Sequence, residues 1–113
     1  MADPRTKQLR IQAGVVKRTA KEYNFYLKEQ SELTNSISTM RSAGDDEYMI
    51  GKKNDLLLET KTTLEDTKRR ITAAVDKLTD LVNDSGAELS ESKEFQAAVE
   101  SLRFAQELDL NNE

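Results

Sequence analysis

The chain has 113 residues, no cysteine or histidine and a formal net charge of −4, with 36% hydrophobic and 34% charged residues. This length predicts one domain, and the composition is typical of thin helices that share a narrow apolar seam. The acidic balance argues against nucleic-acid binding, and without histidine and cysteine we expect no enzymatic activity, no metal and no other cofactor.

The first predicted helix covers about residues 4 to 42. Asp3 can accept hydrogen bonds from the free N–H groups of the first turn, and Pro4 suits the first helical position because it lacks an N–H group. A heptad seam begins at Leu9 and includes several polar positions. Because Gly14 costs about 1 kcal/mol relative to alanine inside a helix, this helix needs packing against other helices.

The second predicted helix covers about residues 47 to 83 and carries the strongest seam of the chain. An apolar residue recurs at every seventh position, which places these residues along one side of the helix. They are Ile50, Leu57, Leu64, Ile71 and Leu78. A helix this long cannot bury the seam on itself, so it must lie along other helices.

The predicted connections are short and determine the topology. Gly44 can adopt the left-handed conformation that ends the first helix, and Asp45, Asp46 and Glu47 supply a cap and negative charge for the next one. We therefore expect the second helix to run antiparallel to the first. Gly86 is predicted to end the second helix in the same way that Gly44 ends the first.

The third predicted helix covers about residues 90 to 108, with Ser90 or Ser92 as its N-cap, and fades by residues 111–113. Apolar residues share one face at helical spacing. They are Phe95, Ala98, Val99, Leu102 and Ala105. The sequence therefore predicts an all-α fold, a single elongated three-helix bundle with up-down-up topology and coiled-coil-like packing.

Charge is distributed unevenly along the chain. Residues 1–43 carry eight Lys and Arg against four acidic residues, whereas residues 86–113 carry two against seven. One interpretation is that the opposite charges stabilise packing of the first helix against the third. Another is that a basic strip attracts an acidic protein partner, and both can hold together.

Some apolar residues fall outside the predicted seams. Ile11 and Phe25 lie on the outer side of the first helix with Arg18 between them, and Leu58 and Phe104 lie off the seams of the other two. Single exposed apolar residues are common, but together with the surrounding Lys and Arg these could form a partner-binding surface.

Targeting signals are missing from the sequence. No apolar run reaches the length that spans a membrane, and residues 1–5 lack the apolar core of a signal peptide. The absence of cysteine fits a reducing compartment. We expect a cytoplasmic protein that binds neither membrane nor nucleic acid.

A series of short motifs runs in consistent order through the first two predicted helices. They are the start Met1 to Arg5, Gln8-Leu9-Arg10-Ile11, Gly14-Val15-Val16-Lys17-Arg18, Lys21-Glu22, Tyr26, Tyr48, Ile50, Lys52-Lys53, Leu56-Leu57, Glu59-Thr60, Asp66, Arg69-Arg70 and Ala73-Ala74. In this order and spacing the chain resembles the tubulin-binding cofactor A family of chaperones. Many members carry a proline within the second helix where this chain has Glu65, so we expect a straighter helix here.

This resemblance implies a protein that binds β-tubulin folding intermediates released by the cytosolic chaperonin. It also implies that the protein passes them to other tubulin-folding cofactors during α/β-tubulin assembly, without nucleotide hydrolysis, and that it is cytoplasmic and cytoskeleton-associated. The alternative is a helical adaptor or regulatory module of the trafficking or cytoskeletal type. Such modules usually carry a further coiled coil or a membrane anchor, and we expect neither.

The partner-binding residues are predicted among outward charged and aromatic side chains in or beside the matched stretches, with Tyr48 as an anchor. They are Lys17, Arg18, Tyr48, Lys52, Lys53, Lys68, Arg69 and Arg70. The alternative interpretation is a basic face that is merely solvated. Arg70 can instead flank the seam and bury its aliphatic stem there.

Overall fold

The computed structural model describes residues 3–110, which form three α-helices and no strand. The helices are α1 (Pro4–Ala43), α2 (Glu47–Leu89) and α3 (Lys93–Gln106). They pack side by side into a rod of 66 × 20 × 17 Å. The predicted all-α, elongated three-helix bundle is confirmed. Residues 1 and 2, where the sequence resemblance begins, lie outside the described residues. So do residues 111–113, where the third helix is predicted to fade.

The hairpin of α1 and α2 begins and reverses where the sequence predicts. Asp3 Oδ1 accepts a hydrogen bond from the backbone N–H of Arg5 at 2.9 Å. Gly44 has a φ of 73°, in the left-handed region that glycine enters without the steric cost of a Cβ. Asp46 then caps α2 by accepting from the backbone N–H of Tyr48 at 3.3 Å. Three residues between the helices are therefore enough to reverse the chain.

The prediction that α2 ends near Asn83, with Gly86 as its cap, is wrong. The helix continues to Leu89, and Gly86 does not have a positive φ. Ser85 is fully buried and Leu89 packs against the core, so the buried face of α2 continues past the glycine. Packing against α3, where the Phe95 ring lies beside Gly86, outweighs the helix-breaking cost of about 1 kcal/mol.

The third helix is shorter than its predicted range of residues 90 to 108. Its N-cap is Ser92, whose Oγ accepts a hydrogen bond from the backbone N–H of Phe95 at 3.1 Å. Ser90 instead follows the end of α2. Since α3 has 14 residues, it is about 21 Å long at 1.5 Å per residue.

This short helix covers only one end of the hairpin, which we call the three-helix end. Its core is small and tightly enclosed. It consists of Leu9, Ala13, Val16 and Ala20 of α1, Ile71, Ala74 and Leu78 of α2, and Ala98 and Ala105 of α3. Towards the turn, at the two-helix end, α1 and α2 pack on each other alone. The buried residues there include Leu33, Ile37, Ile50 and Thr60. Of the predicted α2 seam, Leu57 alone is half-buried rather than buried.

Tyr23 lies at the junction of the two ends. Its side chain is almost fully buried, and its hydroxyl donates a hydrogen bond to the backbone carbonyl of Asp109. Leu108 and Leu110, on either side of Asp109, pack against the core. We call residues 107–110 the C-terminal strap. Burial raises the pKa of Tyr23, and the negative charges of Asp109 and Glu65 raise it further.

One buried hydroxyl has no hydrogen-bond partner among the described residues, that of Ser85. Burying a polar group without a partner costs free energy, so Ser85→Ala is expected to raise the free energy of unfolding by about 1 kcal/mol in urea titrations. The matched control is Ser92→Ala, which removes a helix cap and should lower the free energy of unfolding by about 1 kcal/mol. A loss of stability in both variants would contradict this account of Ser85.

Candidate partner-binding surface

The eight predicted partner-binding residues do not form one strip on the structure. Neighbouring positions of a helix point about 100° apart, so consecutive basic residues reach different faces. Tyr48, Lys52 and Lys53 lie near the turn, and Lys17 lies between α1 and α3. The others lie on three parts of the hairpin. Arg18 lies on the exposed face of α1, Arg70 lies where α1 meets α2, and Lys68 and Arg69 lie on the outer face of α2.

An exposed aromatic and a cation mark the turn. Tyr48 is 67% exposed, and Lys52 Nζ lies 5.1 Å from the centre of its ring, within the range of a cation–π interaction. Lys53 is half-buried. Met49, also exposed, was not among the predicted residues, although its place beside Tyr48 outside the heptad was a usable signal. The turn thus offers mixed aromatic, apolar and basic character.

A groove of about 670 Å³ separates α1 from α3. Arg10 and Lys17 line it on the α1 side, and Glu94, Glu100 and Lys93 line it on the α3 side. Charges of opposite sign therefore face each other across the groove, although no ion pair within 4 Å joins α1 to α3 in residues 3–110. Phe104 lines the same groove and packs against the core, so the prediction that it lies off the seam is wrong.

A second depression, of about 360 Å³, lies on α1 and is defined by an exposed aromatic. We call it the Phe25 patch. It is lined by Arg18, Lys21, Glu22, Phe25 and Tyr26. The Phe25 side chain is 63% exposed, and its ring meets that of Tyr26 edge to face at a centroid distance of 5.3 Å. This edge-to-face geometry is a favourable one for aromatic pairs and orients the Phe25 ring on the surface.

Arg70 connects α2 to this patch. Its guanidinium lies 3.1 Å from Glu22 Oε2 on α1 and 3.3 Å from Asp66 Oδ2 on α2, and it donates to the hydroxyl of Thr67 at 3.1 Å. The bond to Glu22 is the main reason that the pKa of Arg70 is raised, followed by the bond to Asp66. These contacts fit the alternative interpretation in which Arg70 flanks the seam.

Lys68 and Arg69 lie along a shallow depression on the outer face of α2. Arg69 is exposed, and its only ion pair within residues 3–110 is a long contact of 3.9 Å with Asp66. Lys68 is half-buried. Exposed pairs of this kind contribute little to stability, so Arg69 is available to another molecule.

Apolar side chains on the surface agree with most of the sequence predictions. Ile11, Phe25 and Leu58 are all exposed as predicted. Leu56 is exposed as well and was not predicted. The sequence alone did not identify it as exposed, because it stands in a run of three leucines of which only one can face the seam.

The fold and its surfaces define a class of protein, a coiled-coil-like helical bundle with exposed charged and aromatic side chains along its length. In residues 3–110 no helix is both long and apolar enough to cross a membrane. No three metal-binding side chains cluster in that range either. The family model described as Tubulin binding cofactor A matches residues 4–102, and the chain belongs to this family. The resemblance found in the sequence is confirmed.

Individual relatives give the same result. Tubulin-specific chaperone A of Gallus gallus is 39% identical over 98 residues, which cover 87% of this chain and 90% of the relative. The Homo sapiens protein of the same name is 36% identical over the same coverage. The solved structure of human tubulin chaperone cofactor A superposes with a TM-score of 0.82 at 31% identity, covering 91% of this chain and 99% of that one.

The fold is shared more widely than the sequence. Tubulin folding cofactor A from Arabidopsis thaliana superposes with a TM-score of 0.84 at 21% identity, covering 92% of this chain and 97% of that one. In this chain α2 runs without interruption through Glu65, the position at which many family members carry a proline. The family match ends at residue 102, so the C-terminal strap lies beyond it.

Proposed function

We propose that this protein is a tubulin-folding cofactor that binds β-tubulin folding intermediates. It then passes them to other tubulin-folding cofactors during assembly of the α/β dimer. It acts in the cytoplasm, in association with the cytoskeleton, by binding rather than by catalysis. The observation that carries the proposal is the family match over residues 4–102, which spans both long helices and most of α3.

The shape and surface of the rod support this role. A bundle 66 Å long and 20 Å wide has a large surface for its mass, so a partner can contact it over a wide area. Exposed apolar residues lie beside basic ones on this surface, at the turn and at the Phe25 patch. Mixed surfaces of this kind suit a folding intermediate, which exposes both apolar and charged groups.

The direct test is binding of the purified chain to separated β-tubulin and α-tubulin, measured by co-elution and by titration. We expect a complex with β-tubulin and weaker or no binding to α-tubulin. A chain that remains helical by circular dichroism yet fails to bind β-tubulin would refute the proposal. Capture of a trafficking or cytoskeletal protein from cytosol in place of tubulin would favour the alternative of an adaptor module.

The eight basic and aromatic residues are proposed as partner-binding residues, and two of them allow a sharp test. Reversing Lys17 and Arg18 to glutamate is expected to weaken β-tubulin binding by at least tenfold, in part by slowing association, since these positive charges attract an acidic partner over a distance. The effect should shrink at high salt. Titration at two ionic strengths measures both.

The control for this variant makes the same change in charge elsewhere. Lys61 and Arg103 are exposed and lie outside the eight residues, so reversing both to glutamate should leave the affinity within about twofold of the wild type. Equal loss in the two double variants would show that only net charge matters, which would contradict a role for Lys17 and Arg18 in particular.

A further inference from the structure

The outer face of α1 carries a second row of residues that the core does not use. Ile11, Arg18 and Phe25 follow one another at intervals of seven, which places them on one face of the helix. Ile11 is 41% exposed, and Phe25 is exposed by more than half. Fourteen residues of helix separate the ends of this row by about 21 Å. We call these three residues the outer stripe.

The residues beside the outer stripe are apolar or aromatic. Val15 lies one turn after Ile11, is half-buried and packs against the core, so the face between Ile11 and Arg18 is apolar at its base. At the other end, the ring of Tyr26 stands against that of Phe25. The stripe is therefore a narrow apolar face with an aromatic at one end, which resembles the face that a helix presents to another helix.

The charge that remains around the stripe is positive. Arg18 and Lys21 line the Phe25 patch and are exposed. Glu22, the acidic residue of that patch, already pairs with Arg70 at 3.1 Å. Lys7 is exposed one turn before Ile11. Any molecule that covers the stripe thus meets two or three cations and one neutralised acid, which favours a partner with acidic residues beside its apolar face.

The side chain of Arg18 runs along α1 beside Gly14. A Cβ at position 14 would stand 3.2 Å from Nη1 of Arg18, so the guanidinium lies against the surface of α1 in space that the missing side chain leaves open. Arg18 stands seven residues from both Ile11 and Phe25, so its charge lies within the stripe. A carboxylate on a partner could then form paired hydrogen bonds with it.

We propose that the outer stripe binds an amphipathic helical segment of the tubulin polypeptide, with an apolar face of at least four turns and carboxylates along its edge. The inference deepens the proposed function and rests on it. A second copy of this chain is a poorer occupant. In an antiparallel pair centred on the stripe, the Arg18 guanidinium of each copy would face its counterpart, and such like charges repel.

The experiment uses the full chain and titrates β-tubulin with wild type and with matched variants. Phe25→Ala and Ile11→Ala remove the apolar ends, and Arg18→Glu reverses the central charge. The controls are Leu56→Ala, which is 43% exposed on α2, and Lys61→Glu. Circular dichroism and sedimentation of each variant report helicity and oligomeric state. We expect a loss of at least tenfold for each stripe variant and less than twofold for the controls.

The possible results test the outer stripe and the proposed function separately. If the wild type binds β-tubulin and the stripe variants bind equally well, the stripe is not the site, although the proposed function stands. If the control variants weaken β-tubulin binding as much as the stripe variants do, the stripe is again not the site. If the wild type sediments as a dimer that Phe25→Ala dissociates, the occupant is a second copy and the proposal is overturned. If the wild type does not bind β-tubulin, function and inference fall together.

Discussion

Replacing Leu78 with alanine is expected to lower the free energy of unfolding by about 2–5 kcal/mol. Leu78 is fully buried in the core at the three-helix end, where residues of all three helices meet. The loss combines the transfer free energy of the deleted methyl groups with the cost of the cavity they leave. Urea unfolding followed by circular dichroism measures it, since nearly all described residues are helical.

Leu58→Ala is the matched control for this variant, since it makes the same chemical change on the same helix. Its side chain is mostly exposed, so the expected change is within about 0.5 kcal/mol. Similar losses for Leu58→Ala and Leu78→Ala would contradict the assignment of the seam. A small loss for Leu78→Ala alone would show that the three-helix end repacks around the deletion.

Replacing Tyr23 with alanine is expected to have a comparable effect, a loss of about 3–5 kcal/mol. The ring is the largest of the fully buried side chains, and its hydroxyl binds the backbone of the C-terminal strap at Asp109. Tyr23→Phe keeps the ring and removes the hydrogen bond, so it should cost about 1 kcal/mol. Urea titration of both variants separates the contribution of the ring from that of the hydroxyl.

The same residue predicts how stability depends on alkaline pH. The folded chain raises the pKa of Tyr23 above the value of 10.0 that it has in the unfolded chain, so the unfolded state releases this proton first. Above about pH 10 the unfolded state therefore holds fewer protons than the folded state, and the free energy of unfolding falls as pH rises. Below that pH the contribution is fully present.

Tyr23→Phe provides the control for this pH dependence as well. The variant lacks the titrating group, so its stability should fall less steeply than that of the wild type above about pH 10. Tyr26 and Tyr48 are present in both proteins. Parallel curves for wild type and variant would show that Tyr23 does not titrate differently in the folded state.

Much of the fold follows from local chemistry in the sequence. Asp3, Gly44 and Asp46 supply caps that depend only on neighbouring backbone groups, so the start of α1 and the turn were predictable. The end of α2 was not. Gly86 carries a local stop signal, but packing beside Phe95 of α3 overrides it, and this packing depends on how the third helix docks.

The surface shows the same division between local and tertiary information. A heptad places Ile11 and Phe25 outside the seam from spacing alone, and both are exposed. Arg70 is different, because its bond to Glu22 joins residues 48 positions apart and depends on the register between α1 and α2. Phe104 was assigned wrongly since the rotation of a short helix against two long ones cannot be read from its own heptad.

The unequal coverage of the hairpin has a mechanical consequence. The three-helix end is stiffer than the two-helix end, because three packed helices resist bending more than two. The part of the outer stripe from Ile11 to Arg18 lies on that stiff end, and Phe25 lies just beyond the junction at Tyr23. The turn with Tyr48 lies at the other end, which α3 does not brace, so a bound molecule meets a less rigid surface there than on the stripe.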